Sequence, residues 1–230
     1  MQIDILTLFP SLFDSVFSQS IIKKAVDKKI VKIKITNIRD FAEGKHKTVD
    51  DKPYGGGAGM IMMAPPIVKA IEKVKGKRLK VKKQRLILLS PQGKVFNQKK
   101  AKELSKYKHL IFICGHYGGV DERVLKFIDE EISVGDFVLT GGEIPTMAVV
   151  DAVVRLLPKV VAKSDSVEND SHWACGLANS VYTRPYNFRK LKVPEVLLSG
   201  NHKKIKKWRE ENARQNTLLK RPELLEKNKN

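Results

Sequence analysis

Three short apolar runs, Leu86-Ile-Leu-Leu89, Leu110-Ile-Phe-Ile113 and Phe137-Val-Leu139, are continuous rather than alternating. A strand with one face in water alternates polar and apolar residues, so unbroken runs of this length read as strands buried on both faces. That is the pattern of a parallel sheet covered by helices, and parallel strands need long crossovers. The intervening residues supply them, with helices expected at Asn97–Ser105 and Asp121–Phe127. Residues 2–9 read as a further strand. A helix is expected from Pro10-Ser11-Leu12-Phe13-Asp14, with Ser11 as N-cap and Asp14 answering three residues later. Leu12, Val16 and Ser20, with Phe13, Phe17 and Ile21, keep one face of it at helical spacing. From Ile30 to Thr36, Val31, Ile33 and Ile35 alternate with Lys32, Lys34 and Thr36, as in a strand with one wet face. The fold class is therefore α/β with a mostly parallel sheet.

Glu143–Leu157 reads as a helix ended by Pro158. Residues 159–180 are polar and irregular, and a helix near His202–Arg214 and the segment Arg221-Pro-Glu-Leu-Leu225 form a small helical C-terminal piece. The expected division is 1–160, a linker or substrate loop at 161–180, and a C-terminal domain at 181–230. A length of 230 residues accommodates one sizeable core and one small module.

Lys and Arg total 44 against 25 Asp and Glu, a net charge of +19, which makes nucleic acid the leading partner. The competing explanation is a solubilising lysine-rich surface. Basic clusters lie between Lys73 and Arg85 and between Lys203 and Arg209, the second holding Trp208, whose ring could stack on a base while the cations follow phosphates. Two cysteines, Cys114 and Cys175, provide neither a disulfide framework nor a zinc site. No apolar run approaches a membrane span, and the first residues lack the pattern of a secretory signal, so no membrane and a cytoplasmic location are expected.

Each apolar run is followed by a loop with glycine: Ser90-Pro-Gln-Gly93, Gly115-His-Tyr-Gly-Gly119 and Thr140-Gly-Gly142. In a parallel sheet such loops gather at the carboxyl edge, where α/β proteins bind ligands, and glycine admits close approach of a small molecule. Walker, dinucleotide, zinc-hydrolase and Gly-x-Ser-x-Gly fingerprints are all missing. Pro53-Tyr-Gly-Gly-Gly-Ala-Gly-Met60 is glycine-dense and follows His46, Asp50 and Asp51. It is either a backbone surface for a base or phosphate or a flexible loop.

Gly115-His-Tyr-Gly-Gly-Val-Asp-Glu-Arg123, Val134-Gly-Asp-Phe-Val-Leu-Thr-Gly-Gly-Glu-Ile-Pro145, Tyr182-Thr-Arg-Pro185, Val193-Pro-Glu-Val-Leu-Leu-Ser-Gly-Asn-His202, Trp208-Arg209 and Arg221-Pro-Glu-Leu-Leu225 carry a resemblance. The sequence resembles the bacterial tRNA (guanine-N1)-methyltransferases that act at position 37, in order through nearly the whole chain. The resemblance implies the SPOUT fold, a deep trefoil knot in an α/β sheet, and a homodimer with active sites at the subunit interface. The residue pattern by itself argued against a knot, since threaded chains are rare. The implied methyl donor is S-adenosylmethionine, with Pro91, Gly115, Tyr117, Gly118, Val134, Phe137, Leu139, Gly141, Gly142 and Pro145 falling where the family binds it. Arg155 and Asp170 fall on its catalytic arginine and aspartate. Asp170 would be the general base for N1 of guanosine 37, and Arg155 would stabilise charge on O6. His46, Asp50, Tyr54, Gly57, Gly59, Ser199, Asn201, Trp208 and Arg209 are the expected tRNA contacts. No metal ligand is assigned, although His46, Asp50 and Asp51 leave room for Mg²⁺.

The chain departs from the family pattern in several places. Gly118 stands where the family usually has Glu, and Ala58 replaces a proline. Before Tyr182 the family has Leu-Asp-x-Pro, and here the stretch is Leu177-Ala-Asn-Ser-Val181. Glu168-Asn-Asp-Ser-His172 lacks the aromatic residue usual after the serine, which Trp173 could replace. These changes keep a rival open, a weak or inactive RNA-binding relative of the same fold. A relative that methylates another RNA site is a second rival, and the Val193–His202 motif argues against it.

Overall fold

The computed structural model describes residues 1–75, 83–161, 168–174 and 176–226. These fall into two compact units, 1–162 and 163–230. Residues 76–82 of the basic stretch, residues 162–167 of the expected linker, and Cys175 lie outside the described residues.

The first unit is built on five parallel strands: β1 (Gln2–Thr7), β2 (Lys32–Asn37), β5 (Gln84–Val95), β6 (His109–Cys114) and β7 (Glu130–Ser133), in the order β2-β1-β6-β5-β7. The continuous apolar runs are explained by helices on both faces. Ile87, Leu89, Leu110 and Phe112 point into one core, with Ala101 and Leu104 of α4 (Gln98–Leu104) and Val149, Val150, Val153 and Val154 of α5 (Glu143–Val154). Leu86, Leu88, Ile111 and Ile113 point into the other, with Ile67, Ala70 and Ile71 of α3 (Ala64–Lys75). Successive residues of a strand face opposite sides, so a run must be apolar throughout when both sides are covered. Each such side chain contributes about 1.5–3 kcal/mol on burial. Asp4 is buried in β1 and pairs with Nε2 of His109 on β6 at 2.7 Å. β3 (Asp50–Asp51) and β4 (Ile61–Met62) form a separate antiparallel pair.

Several expected elements differ. Phe137-Val-Leu139 is not a strand: Phe137 is 56% and Val138 82% exposed, and the fifth strand is the more polar Glu130–Ser133. β7 is an edge strand whose Glu130 reaches cations on β5 and α4, so it needs no unbroken apolar run, while Phe137 and its neighbours face a cavity. Ser11 caps nothing. Residues Pro10–Phe13 form a 3-10 turn with Phe9 before it and no side-chain cap. The single helix expected there is two, α1 (Asp14–Phe17) and α2 (Ser20–Asp27), divided by extended backbone at Gln19. The break lets Phe13 and then Ile22 and Ala25 each reach the core.

Asp121 does cap its turn, but Glu122–Phe127 is a 3-10 helix. α5 ends at Val154 and not at Leu157. Leu156 and Leu157 tighten onto the carbonyls three residues back, because the residue before Pro158 is disfavoured in the α conformation.

In the second unit, β8 (Asn187–Phe188) and β9 (Leu191–Lys192) form a hairpin. A 3-10 turn (Glu195–Leu198), α6 (His202–Lys220) and α7 (Glu223–Glu226) follow. α6 runs six residues beyond the expected Arg214. Its polar last turns are held by side-chain bonds to backbone of residues 177–180, which the sequence does not record.

Candidate active site

At the carboxyl edge of the parallel sheet, a bulge within β5 and the loops after β6 and β7 enclose a cavity of about 340 Å³. β5 pairs Leu89 with Ile132 and resumes pairing with Lys94 opposite the same residue, so Ser90–Gly93 loop out and carry Pro91 to the cavity wall. After β6 the chain turns at His116–Gly119, with the Gly119 amide donating to the His116 carbonyl at 3.1 Å and Tyr117 in the left-handed region at φ 57°. A non-glycine residue rarely adopts that conformation, and here it sets the Tyr117 ring beside the opening. After β7 the segment Val134–Gly142 returns over the β6 loop. The Gly142 amide donates to the Gly115 carbonyl at 2.7 Å, and His116 and Gly141 form an isolated antiparallel bridge. A Cβ on Gly142 would lie 2.8 Å from Cα of Cys114, so only glycine lets the strands approach this closely.

Gly115, Tyr117, Gly118, Val134, Phe137, Leu139, Gly141, Gly142 and Pro145 line this cavity together with Pro91. Among the described residues the lining holds two carboxylates, Glu122 and Glu131, and no Lys or Arg, in a chain of net charge +19. Such a hollow suits a flat, partly apolar ligand without net negative charge. Among the described residues it offers a polyphosphate no Lys or Arg.

Behind the loops lies a polar cluster that the sequence reading missed. Glu143, the first residue of α5, is 3% exposed and accepts a hydrogen bond from Thr7 Oγ1 at 2.7 Å. Nδ1 of His116 lies 3.7 Å from the other Glu143 oxygen, is buried, and has no hydrogen-bond partner. The His116 ring packs between Phe9 and Tyr117 at centroid distances of 4.7 and 5.0 Å. Burial, with Glu143 nearby, pushes the Cys114 thiol far up, so this cysteine is an inert core group bonded to Thr146. The available signal was Glu143 itself, an acid opening a mostly apolar helix.

The glycine-dense segment is the connection between β3 and β4. Gly57 and Gly59 have φ of 121° and 92°, which side chains rarely adopt, and Tyr54 at its tip is fully exposed. His46 is exposed and Asp50 lies on β3. This segment joins the cavity loop: the Gly118 amide donates to the Met60 carbonyl at 2.8 Å and the Met62 amide to the Gly119 carbonyl at 2.9 Å. Gly118 therefore packs with its Cα toward Met60 and Ile61. Beyond it, Arg123 forks onto Asp121 at 2.6 and 2.9 Å and holds that carboxyl below the usual range. Arg155 follows α5 directly as its C-cap.

In the second unit Asp170 sits in a turn whose carbonyl accepts from the Trp173 amide at 3.2 Å. Asn201 caps α6 through the Lys204 amide, and Ser199 bonds the Val196 carbonyl, so both residues shape the helix entry. Trp208 packs against Tyr182 with centroids 6.3 Å apart. Arg209 is exposed and lines a second hollow with Tyr182, Arg184 and Tyr186. Among the described residues no group of three or more His, Cys, Asp or Glu could hold a metal ion, and no helix is long and apolar enough to cross a membrane.

The family described as tRNA (Guanine-1)-methyltransferase TrmD matches residues 1–227. The chain is similar to the tRNA (guanine-N(1)-)-methyltransferase of Dictyoglomus turgidum, 55% identical over 227 residues, 99% of this chain and 91% of that protein. It is 55% identical over 226 residues to the protein of the same name from Carboxydothermus hydrogenoformans, covering 98% and 87%. To that of Bacillus pumilus it is 51% identical over 227 residues, covering 98% and 92%.

Proposed function

The chain belongs to the tRNA (guanine-1)-methyltransferase family, and from that premise we propose that it methylates N1 of guanosine 37 in tRNA with S-adenosylmethionine as donor. The observation that carries the reading is the three-loop cavity. Its apolar and backbone-rich lining, with carboxylates and, among the described residues, no Lys or Arg, fits a donor bearing a sulfonium cation. Pro91, Tyr117, Val134, Phe137, Leu139 and Pro145 would hold the donor, with Gly115, Gly118, Gly141 and Gly142 letting backbone come close. When bound, S-adenosylmethionine supplies the methyl group from its sulfonium centre.

Asp170 takes the proton from guanine N1, which frees the nitrogen lone pair for attack. Arg155, permanently charged and rich in donors, stabilises the negative charge that builds on O6. In a homodimer Asp170 of one subunit would serve the donor cavity of the other. Exposed Leu12, Val16, Val138 and Ile144 in the first unit support an interface between copies. The return of Val134–Gly142 against the β6 loop supports a trefoil knot at the donor site. Residues 1–160 would then be the methyltransferase domain, 161–180 the substrate loop and 181–230 the tRNA-binding domain. His46, Asp50, Tyr54, Gly57, Gly59, Ser199, Asn201, Trp208 and Arg209 would contact tRNA. The setting is the cytoplasm.

A second reading, an RNA-binding relative without turnover, is favoured by Gly118, which brings no carboxylate to the donor cavity and whose Cβ position is crowded by Met60 O at 3.1 Å. The test is methyl transfer from labelled S-adenosylmethionine to unmodified tRNA carrying guanosine 37, with and without Mg²⁺, followed by nucleoside analysis. The expected product is 1-methylguanosine, with Asp170→Ala lowering kcat by about 10²–10⁴. Binding of tRNA and donor without methyl transfer would give the lead to the second reading.

A further inference from the structure

Leu177–Val181 departs from the family pattern, and the structure shows what holds it. Three side chains on one face of α6 reach its backbone. Thr217, 2% exposed, accepts from the Leu177 amide at 2.9 Å while its hydroxyl donates to the Ala213 carbonyl. Asn216 donates through Nδ2 to the Ala178 carbonyl and to Ser180 Oγ, both at 3.2 Å. Asn212 Oδ1 accepts from the Ser180 amide at 2.7 Å, and Asn216 orients that amide group by a further bond at 3.3 Å. The same segment grips the turn that carries Asp170. The Ala178 amide donates to Ser171 Oγ at 2.9 Å, and the Gly176 carbonyl accepts from the His172 amide at 2.8 Å. Hydrogen bonds thus run without a gap from α6 through Ala178 to the residue next to Asp170.

Ser180 stands where the family motif has proline. A proline fixes its own φ but has no amide to donate. In this chain the fixed ring is replaced by two hydrogen bonds, one from the Ser180 amide and one to its hydroxyl, and both end on asparagines of α6. We infer that Asn212, Asn216 and Thr217 are positioning residues for Asp170, a side-chain clamp that restrains the substrate loop where the family uses proline. The inference rests on Asp170 being the general base. It also accounts for the length of α6: without its last turns Asn216 and Thr217 would have no scaffold.

The test uses the full chain and unmodified tRNA, with kcat read at saturating donor and the donor KM from a donor titration. Asn212→Ala/Asn216→Ala should lower kcat about tenfold or more, since a misplaced catalytic group is costly. The KM for S-adenosylmethionine should stay unchanged, because the donor cavity belongs to the first unit. Alanine favours helix, so circular dichroism should show α6 intact. Adding Ser180→Pro to the double variant should recover most of the lost kcat. Thr217→Val should lose activity, and Thr217→Ser, which keeps both bonds, should retain it. Wild-type kcat in the double variant overturns the inference, as does a joint loss of kcat, donor KM and melting temperature. If Asp170→Ala proves fully active, the base assignment fails separately. The clamp is then decided by amide hydrogen exchange at Ala178 and Ser180, where no acceleration in the double variant overturns it.

Discussion

At Gly142 the β7 loop passes so close to the end of β6 that a methyl group would lie 2.8 Å from Cys114 Cα and 2.9 Å from the Gly115 amide nitrogen. The neighbours are backbone and cannot swing aside. Gly142→Ala should therefore cost about 1–3 kcal/mol, as overpacking of a tight site does. Donor affinity should fall with it, because Gly142 lines the cavity. Urea denaturation and titration calorimetry measure the two, and wild-type values in both would show that the loops can part without penalty. Asp170 and Arg155 carry no local signal in the sequence, where one is an ordinary loop aspartate and the other an arginine after a helix. Their proposed roles rest on family motifs alone, whereas the cavity glycines were legible from their placement after apolar runs.

Elements explain why one apolar run was misassigned. Phe137-Val-Leu139 and the true strand Glu130–Ser133 lie within one stretch, and hydrophobicity favoured the wrong one. An edge strand tolerates charge where partners reach it. Glu130 receives Arg85 Nε at 3.0 Å from β5 and Lys100 Nζ at 2.8 Å from α4. Burial works to raise its carboxyl, but these two bonds outweigh it and hold the pKa below the usual glutamate range. A folded-state pKa below the unfolded value stabilises the protein above about pH 4.3, and the benefit fades as pH falls through the folded value. Both cations are partly exposed, which keeps the worth near that of a surface network. Glu130→Gln should thus cost about 1 kcal/mol at neutral pH. The gap to wild type should narrow below about pH 4, read from melting temperatures across pH; a gap that is constant with pH would remove the ion pairs from the account.

At the scale of the molecule, an excess of 19 positive charges coexists with a proposed donor cavity that, among the described residues, is lined by no Lys or Arg. The two ligands should therefore respond oppositely to salt. Raising salt from about 50 to 200 mM should weaken tRNA binding at least about tenfold through lost counterion release. S-adenosylmethionine affinity should change by less than about twofold, since exposed charge is screened and the cavity has little of it. Filter binding and calorimetry over the same salt series measure both. A flat tRNA response would mean that the basic surface is solubilising and does not grip phosphate.

The sequence by itself determined the parallel α/β class, because strands covered on both faces show unbroken apolar runs. It also placed the glycine loops at one edge, because parallel strands all end on the same side. Tertiary structure decided which charged strand closes the sheet, since Glu130 is tolerable only where Arg85 and Lys100 meet it. It placed a buried Glu143 beneath the cavity, held by Thr7 from 136 residues away, and it gave the polar end of α6 a partner in Leu177–Ser180. Each of these depends on contacts between residues far apart in the chain, which no local pattern records.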